Sequence, residues 1–97
     1  SRILWIEAEG NYSVLGTEDG AKHTLARTLK ELENQLDPIH SFIRIHRSLI
    51  VNLAHLESYS KTEPCILKLK GGLEFEVSRR KKSEVLARLS NPIKENG

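Results

Sequence analysis

The sequence predicts a mainly β domain, with antiparallel strands in small packed sheets, one short mid-chain helix and a short C-terminal helix. Short apolar, β-rich runs recur along the chain and are separated by Gly, Asn and Asp. Apolar residues recur at three- and four-residue steps over residues 25–36 and again over 85–89, which is the period of a helix. A length of 97 residues fits one small domain.

The first quarter of the chain predicts three strands. Residues 3–6 form an apolar β-rich run, and residues 7–11 are predicted to form a loop because Gly-Asn favours a turn. Residues 12–17 and 21–25 are strand candidates on either side of Glu18-Asp19-Gly20, and Asp-Gly between two such runs indicates a hairpin.

A helix is predicted over residues 29–36. Thr28 and Glu31 have the spacing of a capping box, and Pro38 ends the segment. The leucine stripe of this helix can pack on the domain's own sheet or form a dimer seam. Two helical turns are too few for a coiled coil, so packing on the sheet is favoured.

Strands return at residues 42–46, 49–52 and 56–60, with a break at Arg47-Ser48 between the first two. Cys65 opens the next apolar run and is predicted to lie in the core, as free cysteines usually do.

The hairpin after Cys65 allows a prediction of its register. A two-residue Gly-Gly turn would place lysines on the core face, because directly opposed residues share a face. An odd-numbered loop avoids this conflict. We therefore expect an odd-numbered loop or a glycine bulge. A three-residue loop over 71–73 would place Lys68 opposite Glu76 and Leu67 opposite Val77.

Residues 77–78 are predicted to close this last strand, and a basic run over 79–82 leads into the C-terminal helix. Turn residues and a low apolar content predict a frayed tail over 90–97.

The net charge of +2 is unevenly distributed. Residues 1–37 carry four basic and seven acidic side chains, whereas residues 38–97 carry eleven basic and six acidic ones. No acid occurs over residues 38–56, which contain Arg44, Arg47 and three of the four histidines. Such asymmetry indicates an anionic partner, most often nucleic acid. On charge alone, a solvated face explains it equally well.

Several classes of protein are not expected. The longest apolar run is far shorter than the roughly 18 residues of a membrane span. A single cysteine supplies neither an internal disulfide nor a multi-cysteine zinc site, and fits a reducing cytoplasm. His46 and Ser48 lack an acid nearby in sequence to complete a catalytic triad, and no glycine-rich phosphate loop occurs. We therefore expect no enzyme activity, cofactor, metal or small-molecule substrate.

Polar or basic groups follow predicted strands in three places, at residues 9–12, 46–48 and 78–82. Arginine can read a guanine edge or clamp a phosphate, and asparagine can read adenine. Four basic residues at a helix start oppose the helix dipole, and phosphate contacts would offset that cost. Taken singly, each segment is explained as well by a turn or a solvated surface.

The stretch FIRIHRSLIVN at residues 42–52 closely resembles the pattern of LytTR DNA-binding domains, the output domains of many bacterial response regulators. Three further stretches agree in order: ILWIEAEGNYSVL at 3–15, TLKELENQL at 28–36 and FEVSRRKKSEVLARL at 75–89. Four linked motifs make the resemblance far more specific than any one of them.

The resemblance implies a mostly antiparallel β fold that binds double-stranded DNA sequence-specifically through loops entering the grooves, with two copies on direct repeats. Arg44 is expected to pair with an acid, and Asn52 to bond backbone at a strand end. A homodimer is left open. The predicted DNA-binding residues are Asn11, Tyr12, His46, Arg47, Ser48, Ser78, Arg79, Arg80, Lys81 and Lys82.

The alternative is a protein-interaction or dimerisation module that uses the leucine helix or an exposed strand edge. Domains of the family usually begin with an additional strand pair ahead of the segment matching Ile3, so this member is either minimal or cut inside the domain. A cut would expose a sheet edge and favour pairing between chains.

Overall fold

The computed structural model describes residues 2–36, 38–39 and 41–90. Within these ranges the chain forms a mainly β fold, which confirms the predicted class. Its elements, in order, are β1 (Ile3–Glu9), β2 (Tyr12–Thr17), β3 (Lys22–Leu25), α1 (Leu29–Leu36), β4 (Phe42–His46), β5 (Leu49–Asn52), a 3-10 turn (Leu53–His55), β6 (Leu56–Tyr59), β7 (Ile66–Leu69), β8 (Glu74–Glu76) and α2 (Arg79–Ser90).

The strands form two antiparallel sheets. The five-stranded sheet has the order β3-β2-β1-β5-β4, and the three-stranded sheet has the order β6-β7-β8. The pairing of β1 with β5 joins segments far apart in the chain, with Glu7 opposite Leu49. This pairing places the β1–β2 and β4–β5 turns at the same end of the five-stranded sheet.

Each face of the five-stranded sheet is covered by a different layer. One face packs against α1, in a cluster of Ile6, Leu15, Leu29, Leu32, Phe42 and Ile50. The leucine stripe of α1 therefore faces its own sheet, as the sequence favoured. The other face packs against the three-stranded sheet and α2, in a cluster of Leu4, Ile43, Ile45, Leu49, Val51, Cys65, Leu67, Leu69, Val77 and Val85.

The loop predicted over residues 7–11 is wrong, because β1 continues through Glu9. Backbone pairing holds this segment on both sides. Glu9 pairs with Tyr12 of β2, and the Ala8 N–H donates to the Ser48 carbonyl at 2.9 Å. Only the Gly10-Asn11 turn remains, with Gly10 at a φ of 65°.

The β7–β8 hairpin has the predicted odd-numbered loop but not the predicted register. Lys68 lies opposite Glu74 rather than Glu76, and Leu67 lies opposite Phe75 rather than Val77. The loop is shifted by one residue to 70–72, because the Leu69 N–H donates to the Leu73 carbonyl at 2.8 Å. Like faces still meet, so the physical reason for an odd loop is sound.

The helix bounds differ in how well they were predicted. Helix α1 spans Leu29–Leu36 as predicted, with Glu31 and Thr28 forming the capping box: the Thr28 N–H donates to the Glu31 carboxylate at 2.8 Å. Helix α2 has 12 residues and begins at Arg79, so the basic run forms its first turn. Of the predicted frayed tail, residue 90 ends α2, and residues 91–97 lie outside the described ranges.

Candidate nucleic-acid interface

Four polar or basic segments meet at one end of the five-stranded sheet, and we call this the basic end. It comprises the β1–β2 turn with Asn11 and Tyr12, Arg27 after β3, the β4–β5 turn over 46–48, and the start of α2 over 78–82. The three segments predicted from the sequence are thus brought together, and Arg27 joins them.

The first turn carries no cation of its own. Asn11 is exposed and the Tyr12 side chain is 45% exposed. Glu9, which is also exposed, lies opposite Tyr12 and brings a negative charge to the turn. Its chemistry is therefore suited to hydrogen bonds and ring contacts with a partner, and not to neutralising a phosphate.

The second turn is built on a bulge. The register of β4 against β5 shifts between Arg44 and His46, and Arg47 and Ser48 form the turn that follows. The Arg47 side chain is exposed, and within the described residues no hydrogen bond or ion pair holds its guanidinium. An arginine at the tip of a rigid hairpin is available to a partner.

Arg44, next to this turn, is held within the domain as predicted. Its Nη1 lies 2.9 Å from Glu33 Oε1 of α1, its Nε donates to the His46 carbonyl at 3.3 Å, and its Nη2 donates to the Arg47 carbonyl. Asn52 also has its predicted structural role. Its Nδ2 donates to the Ile3 carbonyl at 2.8 Å, and its Oδ1 accepts from the Ala54 N–H at 3.1 Å.

His46 and Ser48 form a local hydrogen-bonded pair. The Ser48 N–H lies 3.2 Å from His46 Nδ1, and the Ser48 hydroxyl lies 3.1 Å from the same nitrogen. Because a backbone N–H can only donate, Nδ1 acts as the acceptor, and the proton of the neutral ring is assigned to Nε2. His46 therefore has an Nε2–H as its remaining donor.

The start of α2 is tied to the second turn through the backbone. The Ser78 N–H donates to the Ile45 carbonyl, on the bulge, at 2.9 Å. A cleft of about 170 Å³ lies between the two segments and is lined by Glu33, Arg44, Arg47, Ser78, Arg80 and Lys81. Four cations and one carboxylate line this cleft, so it favours an anion.

The basic run at the start of α2 divides into two pairs. Arg79 and Arg80 are exposed, and among the described residues neither side chain has a hydrogen bond or ion pair. Lys82 Nζ lies 3.0 Å from Glu63 Oε2, and Lys81 Nζ lies 3.4 Å from Glu84 Oε1. Both lysines are half-buried, so the two arginines are better placed to meet a partner.

Arg27 is a residue that the sequence did not suggest. Ser13, which is fully buried, donates its hydroxyl proton to the Arg27 carbonyl at 2.8 Å, and this bond fixes Arg27 at the basic end. Its side chain is exposed. Residues 1–37 are acidic overall, so charge did not draw attention to Arg27. Its position between a strand and a helix N-terminus could have indicated a candidate site residue.

The helix that follows Arg27 begins at a capped N-terminus. Hydrogen bonds from Thr28 hold the pKa of the Glu31 carboxyl below its ordinary value, and Arg27 adds to the effect. Glu31 is thus ionised at neutral pH and satisfies the first turn of α1.

The described residues contain no group of three His, Cys, Asp or Glu side chains that could hold a metal ion. None of the helices in the described ranges is long and apolar enough to cross a membrane.

Comparisons with known proteins identify the family of this fold. The family model of the LytTr DNA-binding domain matches residues 1–90. The CO-responsive transcriptional regulator RcoM of Rhodospirillum rubrum is 44% identical over 62 residues, which are 63% of this chain and 25% of that protein. The chain thus spans about a quarter of the length of this curated relative.

A solved structure is similar over most of the fold. It is the LytTr DNA-binding domain of a Bacillus cereus protein described as a methyl-accepting/DNA response regulator, with a TM-score of 0.77 and 28% identity. The match covers 94% of this chain and 83% of that chain. With a family model matching nearly the whole described chain and a solved structure of the same architecture, this chain belongs to the LytTR DNA-binding domain family.

Proposed function

We propose that this chain binds double-stranded DNA sequence-specifically, as the output domain of a bacterial transcriptional regulator, by inserting the turns of the basic end into DNA grooves. The observation that carries the proposal is the meeting of Asn11, Arg27, Arg47 and Arg80 at one end of a rigid sheet. These four residues come from segments spread over 70 residues of chain, and the fold gathers them into one surface.

The two hairpin turns project from the sheet by different distances, and the difference suits a DNA groove. Ala8 bonds to Ser48, and the Gly10-Asn11 turn begins two residues beyond Ala8. At about 3.3 Å per strand residue, the first turn projects about 7 Å further than the second. A major groove is about 8.5 Å deep, so both turns can approach one stretch of duplex at different depths.

Three residues are proposed to contact bases. Arg47 presents a guanidinium that can donate two hydrogen bonds to the O6 and N7 of guanine, and Asn11 can pair with the adenine edge in the same way. The His46 Nε2–H is a donor for a base acceptor or a phosphate, because Ser48 occupies Nδ1. Tyr12 adds an exposed ring next to Asn11.

The phosphate contacts are assigned chiefly to Arg79, Arg80 and Arg27. Each neutralised phosphate releases counterions. It steepens the fall of the logarithm of the binding constant with the logarithm of the salt concentration by about 0.9. Ser78 and Ser48 are further candidates for hydrogen bonds to phosphate oxygens. Lys81 and Lys82 remain in the proposed set with smaller contributions, because their ion pairs with Glu84 and Glu63 compete with DNA.

For the whole regulator, we propose a cytoplasmic protein that places two copies of this domain on direct repeats. A signal would reach the domain from another part of the regulator or from another protein. A protein-interaction module without DNA binding is the alternative, and it predicts no salt-sensitive binding to any duplex.

The test begins with selection of bound sequences from a random duplex pool. Arg47→Ala is then compared with the parent on the selected duplex and on random duplex. We expect a loss of about 1–3 kcal/mol on the selected duplex and relaxed preference at one base position.

Arg2→Ala is the matched control, because Arg2 lies at the opposite end of β1 and, among the described residues, its side chain forms only an exposed ion pair with Asp19 at 3.8 Å. If Arg47→Ala binds the selected duplex and the random duplex as tightly as the parent does, Arg47 does not read a base. Absence of salt-sensitive binding by the parent would refute the proposed function itself.

A further inference from the structure

The β4–β5 turn lacks the backbone geometry that usually supports a tight hairpin. Two-residue hairpin turns favour residues with positive φ, usually glycine or asparagine. Here the turn residues are Arg47 and Ser48, and among the described residues positive φ occurs only at glycines. The conformation of this turn therefore depends on contacts from outside it.

The Arg44 side chain supplies two of those contacts. Its guanidinium donates to the carbonyls of both His46 and Arg47, which are consecutive residues entering the turn. A planar guanidinium presents several donors in a fixed fork, so it can hold two carbonyls in one relative orientation. The direction of the Arg47 side chain follows from the backbone that is held in this way.

Glu33 completes the arrangement from a separate element. Its carboxylate lies 2.9 Å from Arg44 Nη1, and the two side chains are 43% and 22% exposed. Glu33 belongs to α1, whose Leu29 and Leu32 are buried against the sheet. The second turn is thus fixed to a helix that lies outside it.

We propose that the Arg44–Glu33 pair is a positioning device that sets the sequence discrimination of Arg47 and contributes little to overall DNA affinity. This inference rests on the proposed DNA-binding function and deepens it. Neither residue touches DNA in the proposal; both act through the carbonyls of the turn.

Electrostatics alone predicts that one substitution leaves the ratio of selected-duplex to random-duplex affinity unchanged. Among the residues that the structure describes, Glu33 is the one carboxylate lining the cleft beside Arg47 and Arg80. Its removal raises the positive potential there and should tighten binding to every duplex. If Glu33 positions the turn, Glu33→Ala should instead weaken the preference for the selected duplex over random duplex. The ratio of selected-duplex to random-duplex affinity in Glu33→Ala therefore distinguishes positioning by Glu33 from a purely electrostatic effect.

The variants are Arg44→Lys, Glu33→Ala and Glu33→Gln, with Gln35→Ala on α1 as the control. Lysine keeps the charge but has no planar fork, and glutamine keeps the Oε1 acceptor without the charge. Affinities for the selected and random duplexes are measured at several salt concentrations, and unfolding midpoints confirm that each variant is folded.

We expect Arg44→Lys and Glu33→Ala to lower the ratio of selected to random affinity by about 5- to 10-fold, within the range for losing a base-reading arginine. Random-duplex affinity should be unchanged for Arg44→Lys and slightly tighter for Glu33→Ala. Glu33→Gln should keep the ratio within about twofold, because its oxygen still accepts from Arg44.

A double variant supplies a readout that a merely structural role would not change. In an Arg47→Ala background, Arg44→Lys should cause no further loss of discrimination, because the side chain that it positions is gone. Additive losses would overturn the inference, as would equal weakening of both duplexes by Arg44→Lys or an unchanged ratio in Glu33→Ala.

Failure of the parent to select any sequence would instead refute the proposed function. If Arg44→Lys does not fold, the two Glu33 variants decide the question, because a ratio lost in Glu33→Ala and kept in Glu33→Gln supports positioning. Equal ratios in these two variants would overturn it.

Discussion

Replacing Gly16 with alanine should destabilise the domain, although the same change in an ordinary strand should stabilise it. Gly16 is buried in β2 and lies opposite Trp5 of β1. Its φ is not positive, so backbone freedom does not explain the glycine. The reason is steric, because the Trp5 ring lies directly over the Gly16 Cα.

The size of the effect follows from the contact distances. A Cβ at Gly16 would lie 2.4, 2.5 and 2.6 Å from Cε2, Cζ2 and Nε1 of Trp5, whereas real Cβ contacts essentially never fall below 3.0 Å. The ring must move, and overpacking of this kind costs about 1–3 kcal/mol. The gain from replacing a strand glycine by alanine is only about 0.5–1 kcal/mol. Because a 2.4 Å approach is far below the 3.0 Å limit, the cost should lie in the upper part of its range, and a net loss of about 1–2 kcal/mol is expected.

The assay is equilibrium unfolding in urea, followed by circular dichroism and by the fluorescence of Trp5, which is the only tryptophan of the chain. In thermal unfolding followed by the same signals, a loss of 1 kcal/mol should lower the Tm by roughly 4–8 °C in a domain of this size. DNA affinity below the transition should be unchanged, since Gly16 lies at the end of β2 away from the basic end.

A double-mutant cycle identifies the cause. In a Trp5→Leu background the ring is gone, and Gly16→Ala should cost less than about 0.5 kcal/mol or become stabilising. A Gly16→Ala variant as stable as its parent, with Trp5 present, would refute the steric argument. If Gly16→Ala lowers the free energy of unfolding equally in both backgrounds, contact with Trp5 is not the cause.

Three other predictions concern single side chains. Asn52→Ala removes both hydrogen bonds of a fully buried side chain, so the free energy of unfolding should fall by about 1–3 kcal/mol, measured by urea denaturation with exposed Asn34→Ala as the control. Glu31 has a lowered pKa in the folded state, so its stabilising effect is complete above its ordinary value of 4.5 and is lost as the pH falls through the lower folded value. Glu31→Gln should therefore unfold with a weaker dependence on acid pH than the parent, and identical pH profiles would contradict this. Burial raises the pKa of the Cys65 thiol, so alkylation of this single cysteine at pH 8 should be slow in the native protein and fast in urea, as mass spectrometry would show. Rapid native labelling would place Cys65 outside the core.

The features that local sequence controls were predicted well. The start of α1 follows from the exchange of hydrogen bonds between Thr28 and Glu31, and its end precedes Pro38. The strand break at Arg47-Ser48 also lies where the local pattern put it. These features depend on residues a few positions apart, so the sequence contains the information directly.

The features that depend on distant pairing were missed. The pairing of Glu7 with Leu49, some 40 residues later, has no local signal, although it brings the two hairpin turns to one end of the sheet. The partner of Lys82 is Glu63, 19 residues away, so its ion pair has no local signal. Arg27 lies in the candidate site because β3 ends at the same end of the sheet as the two turns. Alternation of apolar residues predicts which face a residue occupies, but not which strand lies next to it.

The hydrogen bond from Ser78 to the bulged Ile45 has a consequence for how such domains can be re-targeted. It fixes the β4–β5 turn and the start of α2 in one relative position, although about 30 residues separate them in the chain. A graft of residues 46–48 alone would transfer only one half of the proposed DNA-binding surface. Exchange of DNA preference between relatives should therefore require both segments and the bulge to be moved as one unit.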